Sequence, residues 1–555
     1  MESVRTRWWP LPVILSLCAL TLFIIWTRDV PARADRVVHT VPALAISALA
    51  LLSWLLFFSR LSRSVRLASF AAVVALSLGC VGLLRITGVS GDLVPIIDWR
   101  WSEQDRSAGG GSQALTSDSS GKLPFRDFAQ FLGPDRNAIL TGLKLNPDWQ
   151  AHPPREVWRQ PVGEGWSAFA VQGGYAVTQE QQGPLEKVVC RDVRTGKVLW
   201  SHGDSTRYET ALGGIGPRAT PTLDGNRVFS MGATGRLNCL DLSTGRRLWT
   251  RDTLADGGRQ AHWGMSSSPL IIDSLVVVSA GGDNGHSLVA YDRLSGARVW
   301  SGGDDSAGYS SPSLAHLVGR NQILIFNNYA VAGHDPVDGS VLWRYPWPGG
   351  VSIQCVAQPV PLSADRVLVS SGYGIGSKLL QLVAHQGGDG IIPVPVWESP
   401  RLKAKFTNLV VRDRSVYGLD DGVLVCLDID TGERRWKSGR YGHGQVLLID
   451  DLLLIQAESG EVFLVDADPA GHRERARLAA LSSRTWNNPV LAAPYLLLRN
   501  DREAVCYELA VAELAHGLGW PETQTRVRTG ARESTTQLAG MDRHPDTAYL
   551  SDRAL

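Results

Sequence analysis

Ten residues carry the side chains best suited to hold a small molecule: Arg218, Trp263, Ser268, Tyr309, Ser311, Gln354, Lys405, His443, Trp486 and Asn487. Two cations, hydroxyls and aromatic rings in one place suit an anionic or sugar-like ligand. The same groups can equally fill a channel and satisfy strand ends, and spacing pairs no nucleophile with a base, so catalytic residues stay unassigned. His443, within YGHG, also reads as a hydrogen-bonded turn histidine. The twelve His show no HxH or HxxxH spacing, and no metal site is expected. Asp283-Asn284-Gly285 has the start of a calcium loop without the rest of its spacing, and reads better as a turn.

The seven Cys include no adjacent pair and no CxxCH, so haem attachment is not expected. Cys18 and Cys80 lie in apolar runs. Leu17 stands where a lipoprotein signal needs a small residue. Cys190, Cys239, Cys426 and Cys506 each precede by two residues the acid that ends a strand, a slot that Ala290 fills elsewhere. A small inward position explains Cys and Ala alike, and no disulfide framework is expected. Cys355 stands apart.

The ten residues share a property: they open successive units of a repeat. One phrase recurs as DVRTGKVLW, DLSTGRRLW, DRLSGARVW, DPVDGSVLW and DIDTGERRW, with Asp-x3-Gly-x3-Trp spacing. Its glycines (Gly196, Gly245, Gly296, Gly339, Gly432) step by 49, 51, 43 and 93, so one degenerate copy, ending at Trp397, lies in the last gap. Each phrase predicts a hairpin. A strand runs into Asp, Gly supplies a positive φ, and a second strand ends on a Trp that must bury a large face. Two more short strands precede each phrase, and four strands per 40–50 residues is one propeller blade. Blades are expected at 162–200, 214–249, 263–300, 308–343, 353–397, 404–436, 443–478 and 485–509. The seventh lacks the Trp and the eighth is one strand short. EVWRQP, with Trp158, can supply that strand and close the ring, which removes exposed sheet edges. Trp158, Trp200, Trp249, Trp300, Trp343, Trp397 and Trp436 account for much of the surplus of 19 Trp.

Three apolar runs, 10–26, 38–58 and 65–84, each approach the ~20 residues that cross a bilayer as a helix. Ala32-Arg33-Ala34 loosely fits a cleavage site, but the charged stretch before it is atypical of a signal peptide. Residues 1–87 hold nine Arg and three acids, a charge of +6, leaving −5 for the rest of a chain whose net charge is +1. A near-neutral whole offers no global field for nucleic acid. Arginines divide evenly between the two sides of the spans, so positive charge does not orient them.

The repeat resembles that of the PQQ-like β-propeller family, which includes quinoprotein alcohol dehydrogenases and the BamB-type assembly factor. Its form x-A-L-D-x-x-T-G-x-x-x-W matches the phrases above over about residues 125–510. FAQFLGPDRNAI (Phe128–Ile139), GPRATP, GYSSP and YGHG also look like membrane-tethered bacterial members. The resemblance implies an all-β eight-bladed β-propeller behind an α-helical transmembrane segment, on the extracytoplasmic side of the bacterial inner membrane. The expected layout is three transmembrane helices (1–87), a flexible Gly/Ser-rich linker (88–124), the propeller (125–510) and a polar tail (511–555). The expected role is an envelope scaffold whose partners are the membrane and another envelope protein. The alternative is a PQQ-dependent alcohol or sugar dehydrogenase. Quinoprotein dehydrogenases have an adjacent Cys pair, a calcium site of Glu, Asn and Asp, and an Asp base. Those motifs are absent here, so no cofactor is expected, with PQQ and calcium the exception to test.

Overall fold

The computed structural model describes residues 7–28, 33–101, 126–210, 212–350, 354–385 and 390–511. Residues 102–124 of the expected linker and all of the expected tail (511–555) but Val511 lie outside them.

Three helices lead the chain: α1 (Pro10–Thr27), α2 (Arg33–Ser53, continued by a wider turn over Trp54–Phe58) and α3 (Arg63–Leu83). All three are long and apolar enough to cross a membrane. Pro10 opens α1 at a position where its missing N–H costs nothing. The Ser62 hydroxyl caps α3 by accepting from the Val65 N–H.

The expected linker begins later than residue 88. Strands β1 (Leu84–Val89) and β2 (Pro95–Trp99) pair antiparallel and prolong α3 as a hairpin. Its tip is tightened by the Ser90 hydroxyl, which accepts from the N–H groups of Asp92 and Val94. Alternation of apolar and polar residues over Leu84–Thr87 suits a strand, and Ser90-Gly91-Asp92 a turn.

The rest is β-structure. Among the described residues, eight sheets of four antiparallel strands follow one another, the sheet of Gln445–Ala479 gaining a fifth, parallel strand, β3 (Ile139–Leu140). The last sheet holds Val490–Ala492, Tyr495–Arg499 and Glu503–Glu508, and its fourth strand is β4 (Arg155–Pro161), which pairs with Glu503–Glu508.

The recurring phrase explains how neighbouring sheets dock. Asp192 Oδ1 accepts from the N–H groups of Arg194 and Thr195 and from the Thr195 hydroxyl, and Asp241, Asp292 and Asp428 repeat this arrangement. The hydrogen bonds of Ser243 and Thr244 hold the Asp241 carboxyl below its usual pKa. Gly196, Gly245, Gly296, Gly339 and Gly432 have φ of +68° to +78°. Each lies under the Trp of the preceding sheet: a Cβ on Gly245 would stand 2.4 Å from Trp200. The indole then donates to a carbonyl of that next sheet, Trp158 to Val193, Trp200 to Leu242, Trp249 to Arg293, Trp397 to Ile429 and Trp436 to Asp468. Trp343 departs from this and donates to Gln322 of its own sheet.

The cysteines fit the same device. Cys190, Cys239, Cys426 and Cys506 pair across the strand with Trp200, Trp249, Trp436 and Trp158, where Ala290 faces Trp300. A small side chain leaves room for the indole, and a bulge follows each pair and adds twist. These thiols are buried and free, and burial pushes the Cys190 thiol up to about 12.

Candidate functional site

A second set of contacts runs nearer the strand starts. The Thr220 hydroxyl accepts from the Ala168 N–H, Ser268 from Thr220, Ser311 from Ser268, Gln358 Oε1 from Ser311, and Asn408 Oδ1 from Gln358. Five successive steps thus tie together the strand starts of the first six sheets. Asn487 of the last sheet donates to Gly165 and Ser167 of the first. Three of the ten residues singled out in the sequence, Ser268, Ser311 and Asn487, therefore use their polar groups on backbone.

Inside this collar lies a cavity of about 630 Å³. Arg218, Trp263, Ser268, Tyr309, Ser311, Lys405 and Trp486 line it, seven of the ten. Gln354 is buried outside it and donates to the Gly350 carbonyl. His443 and Asn487 lie behind the lining. Sequence reading missed Phe131, Trp166, Tyr373, Phe406, Asn408 and Gln445, which also line the cavity. Trp166 precedes its first strand as Trp263 does, a signal that was present. Tyr373 follows a second strand, where the repeat marks no site.

The segment after residue 125 forms part of the wall. Phe128 bridges Val171, the Ala129 carbonyl accepts from Leu223, and Phe131 reaches the cavity. The buried Arg136 donates to the Ser268 and Pro269 carbonyls, and burial lowers its pKa to about 9.

The β1–β2 tip supplies another part of the wall, with Val89, Ser90, Gly91 and Leu93, beside Ala34, Asp35 and Val38 of α2. Lys405 donates to the Gly91 carbonyl, Glu458 Oε1 accepts the Gly91 N–H at 2.6 Å, and His443 Nε2 lies 3.0 Å from Asp92 Oδ1. Arg484 donates to the Val89 carbonyl. A Cβ on Gly91 would stand 2.2 Å from the His443 ring, so only glycine allows this approach. Lys405 and His443, read from sequence as ligand contacts, thus hold the chain's own hairpin. Glu458 and Arg484 were not singled out.

Aromatic and cationic groups alternate around the cavity. Trp166 and Trp486 lie with ring centroids 4.8 Å apart, and the Arg484 guanidinium covers both. Lys405 Nζ stands 4.9 Å from the Tyr373 ring centre. Burial lowers the Lys405 pKa, against the carboxylates of Asp92, Asp421, Glu458 and Asp35. Burial raises Tyr309 to about 12 and lowers Arg218 to about 10.

This lining does not suit calcium-assisted quinone chemistry. Calcium needs six to eight oxygens with several carboxylates, whereas Asp35 is the one carboxylate lining the cavity among the described residues. No cysteine lines it. Asp283 and Asn284 form a turn, Asn284 at φ +56°. Among the described residues no three His, Cys, Asp or Glu stand together as a metal site.

A family model described as outer membrane protein assembly factor BamB matches residues 150–255 and 184–438, more than half of the chain. BamB of Marinobacter adhaerens is 28% identical over 142 residues, 26% of this chain and 30% of that protein. Quinohemoprotein alcohol dehydrogenase ADH-IIG of Pseudomonas putida is 30% identical over 215 residues, 34% of this chain and 28% of that enzyme. The chain thus matches less than a third of the length of either relative. A europium-containing methanol dehydrogenase structure superposes with a TM-score of 0.50 at 11% identity, covering 69% of this chain and 98% of its own. Quinohemoprotein alcohol dehydrogenase from Comamonas testosteroni also scores 0.50, at 12% identity, covering 69% and 80%. These likenesses are of fold. By its repeats, its four-stranded sheets and the matched residues, this chain belongs to the PQQ-repeat β-propeller family described as outer membrane protein assembly factor BamB.

Proposed function

We propose that this protein is an envelope scaffold: one eight-bladed propeller, closed by β4, held at the extracytoplasmic face of the inner membrane by three helices and presenting its outer wall to another envelope protein. The observation that carries this is an apolar patch on the sheet of Val360–Ser399. Its outermost strand, Ile391–Ser399, turns Ile392, Val394 and Val396 outward, 44–47% exposed, and Val383 beside Ile392 joins them. Contiguous exposed β-branched residues on an outer strand suit a protein contact. Pro393 and Pro395 remove two N–H groups from that edge, which favours side-chain docking over strand addition.

The test is site-directed photo-crosslinking from position 394 in native membranes. A discrete adduct that disappears in Ile392→Glu/Val396→Glu, but persists in Val198→Glu on another sheet, supports the scaffold. An adduct pattern indifferent to all these changes overturns it.

The dehydrogenase reading draws on the quinohemoprotein relative. Adding PQQ and calcium to the full chain, with dye reduction by alcohols and sugars as readout, decides it. Saturable turnover would displace the scaffold reading.

A further inference from the structure

Between the helices and the hub stands the β1–β2 hairpin, and its two faces differ. The register sets Leu84 opposite Trp99 and Ile86 opposite Ile97, so these four apolar side chains share one face. Arg85 and Asp98 oppose each other on the other face. Ile86, Ile97 and Trp99 are 69, 59 and 51% exposed, close to Leu78 and Val81 near the end of α3 at 66 and 65%. Trp101 stacks on Trp99 with ring centroids 5.6 Å apart. An antiparallel ribbon with one face in water carries polar residues on that face. Here the open face is the apolar one.

Two observations say what covers it. First, the face continues a helix that is long and apolar enough to cross a membrane: α3 ends at Leu83 and β1 begins at the next residue. Second, the hairpin stays level with the helix ends. Its tip residues Val89, Ser90, Gly91 and Leu93 share a cavity wall with Ala34, Asp35 and Val38, from the first two turns of α2. Consecutive spans run in opposite directions, so the start of α2 and the end of α3 emerge on one side of a bilayer. β1 has six residues, an extended reach of about 20 Å. A ribbon rooted at the end of α3, with its tip beside the start of α2, therefore runs across the helix ends. Those ends meet the headgroup layer, the level at which Trp rings concentrate.

We propose that the β1–β2 hairpin lies in the headgroup layer of the bilayer, with Leu84, Ile86, Ile97 and Trp99 turned toward the acyl chains. The proposal rests on the reading that the three helices span. The partner is a lipid surface, because the apolar face adjoins a helix whose outward side chains need lipid as well. The tip is gripped by Lys405, Glu458, His443 and Arg484. A hairpin fixed in lipid thus turns the cavity end of the sheets toward the membrane and leaves their outer strands free for a protein partner.

The test places a coumarin amino acid at one position at a time in the full chain, in phosphatidylcholine nanodiscs with or without a nitroxide on the acyl chains. Emission from positions 86 and 97 should fall by about half or more in the nitroxide lipid, as suits side chains at the interfacial level. Leu76 on α3, 71% exposed, reports the spans, and emission there should also be lost. Val337, 82% exposed, follows a third strand and so lies at the sheet ends away from the cavity; emission there should be kept. Ile97→Glu should restore emission at position 86 and open it to aqueous iodide, with melting near wild type. Emission kept at 86 and 97 but lost at 76 would overturn the hairpin's placement and leave the spans standing, whether iodide reaches these positions or a second copy or another protein shields them. Emission kept at 76 would overturn the spanning reading and the proposal with it. Loss at 337 equal to that at 97 would also overturn the proposal.

Discussion

The rim and the hub of these sheets are built on opposite terms. At the rim, one arrangement is repeated: Asp closes a turn, Gly lies beneath the previous sheet's Trp, and a small residue faces that Trp. At the hub the collar of first-strand contacts repeats, but the cavity lining does not. Tyr373, Lys405 and His443 have no counterpart on the other sheets, and two of them grip a hairpin unrelated to the repeat. Repetition marks residues that answer to a neighbouring copy, and variation marks residues that answer to something outside the repeat.

That contrast can be broken by mutation, and the largest effects belong to the rim. Deleting Arg155–Pro161 strips the outer strand from the last sheet together with Trp158, and should leave a protein that does not refold as one cooperative unit. Unchanged melting by calorimetry would remove the case for closure. Next is Trp200→Ala, which vacates the contact over Gly245 and should cost about 3–5 kcal/mol, read as a shift in denaturant midpoint.

Smaller is the effect of Glu186, which is buried between the first two sheets and accepts from the Ala233 N–H. Burial raises its pKa to about 7, above the ordinary 4.5. A carboxyl raised on folding costs nothing below the unfolded pKa. The cost grows as pH climbs from about 4.5 and is complete above about 7. Glu186→Gln should therefore stabilise the protein by about 1–3 kcal/mol at pH 8 and by little at pH 4. Equal effects at both pH values would contradict the burial argument. At the hub, Gly91→Ala forces the tip off His443 and should free Trp486, read as a red shift in emission, with a stability loss near 1 kcal/mol. Smallest of all, Tyr373→Phe removes a hydroxyl that has no partner and should leave melting within a degree or two. A large loss of stability there would make Tyr373 a rim-like, structural residue.

Legibility followed the same division. Trp200 and Gly245 could be read from sequence because identical constraints wrote them five times. Seven cavity residues were also legible, since each lies near the start of a repeat unit and its phase could be counted. Tyr373 and Gln445 escaped because their roles depend on which hydrogen bonds remain unmade after folding. Ser268 and Ser311 looked like ligand groups because sequence cannot show that their hydroxyls hold the preceding sheet's backbone. The hairpin tip was missed for a simpler reason. Its polar residues resemble the linker that follows, and Gly91 and Asp92 are more than 300 positions from Lys405, His443 and Glu458.

By itself the sequence determined the repeat, the strand count per unit, the runs long and apolar enough to cross a membrane and the burial of the repeat's Trp. Those are local or nearest-neighbour matters, set by hydrophobic period and turn chemistry. Only the tertiary structure decided which polar groups at the hub are used and which are left over. Hydrogen bonds between distant segments are matched only when the chain closes on itself. The residue types at the hub say what a group can do, and its partners decide what it is free to do.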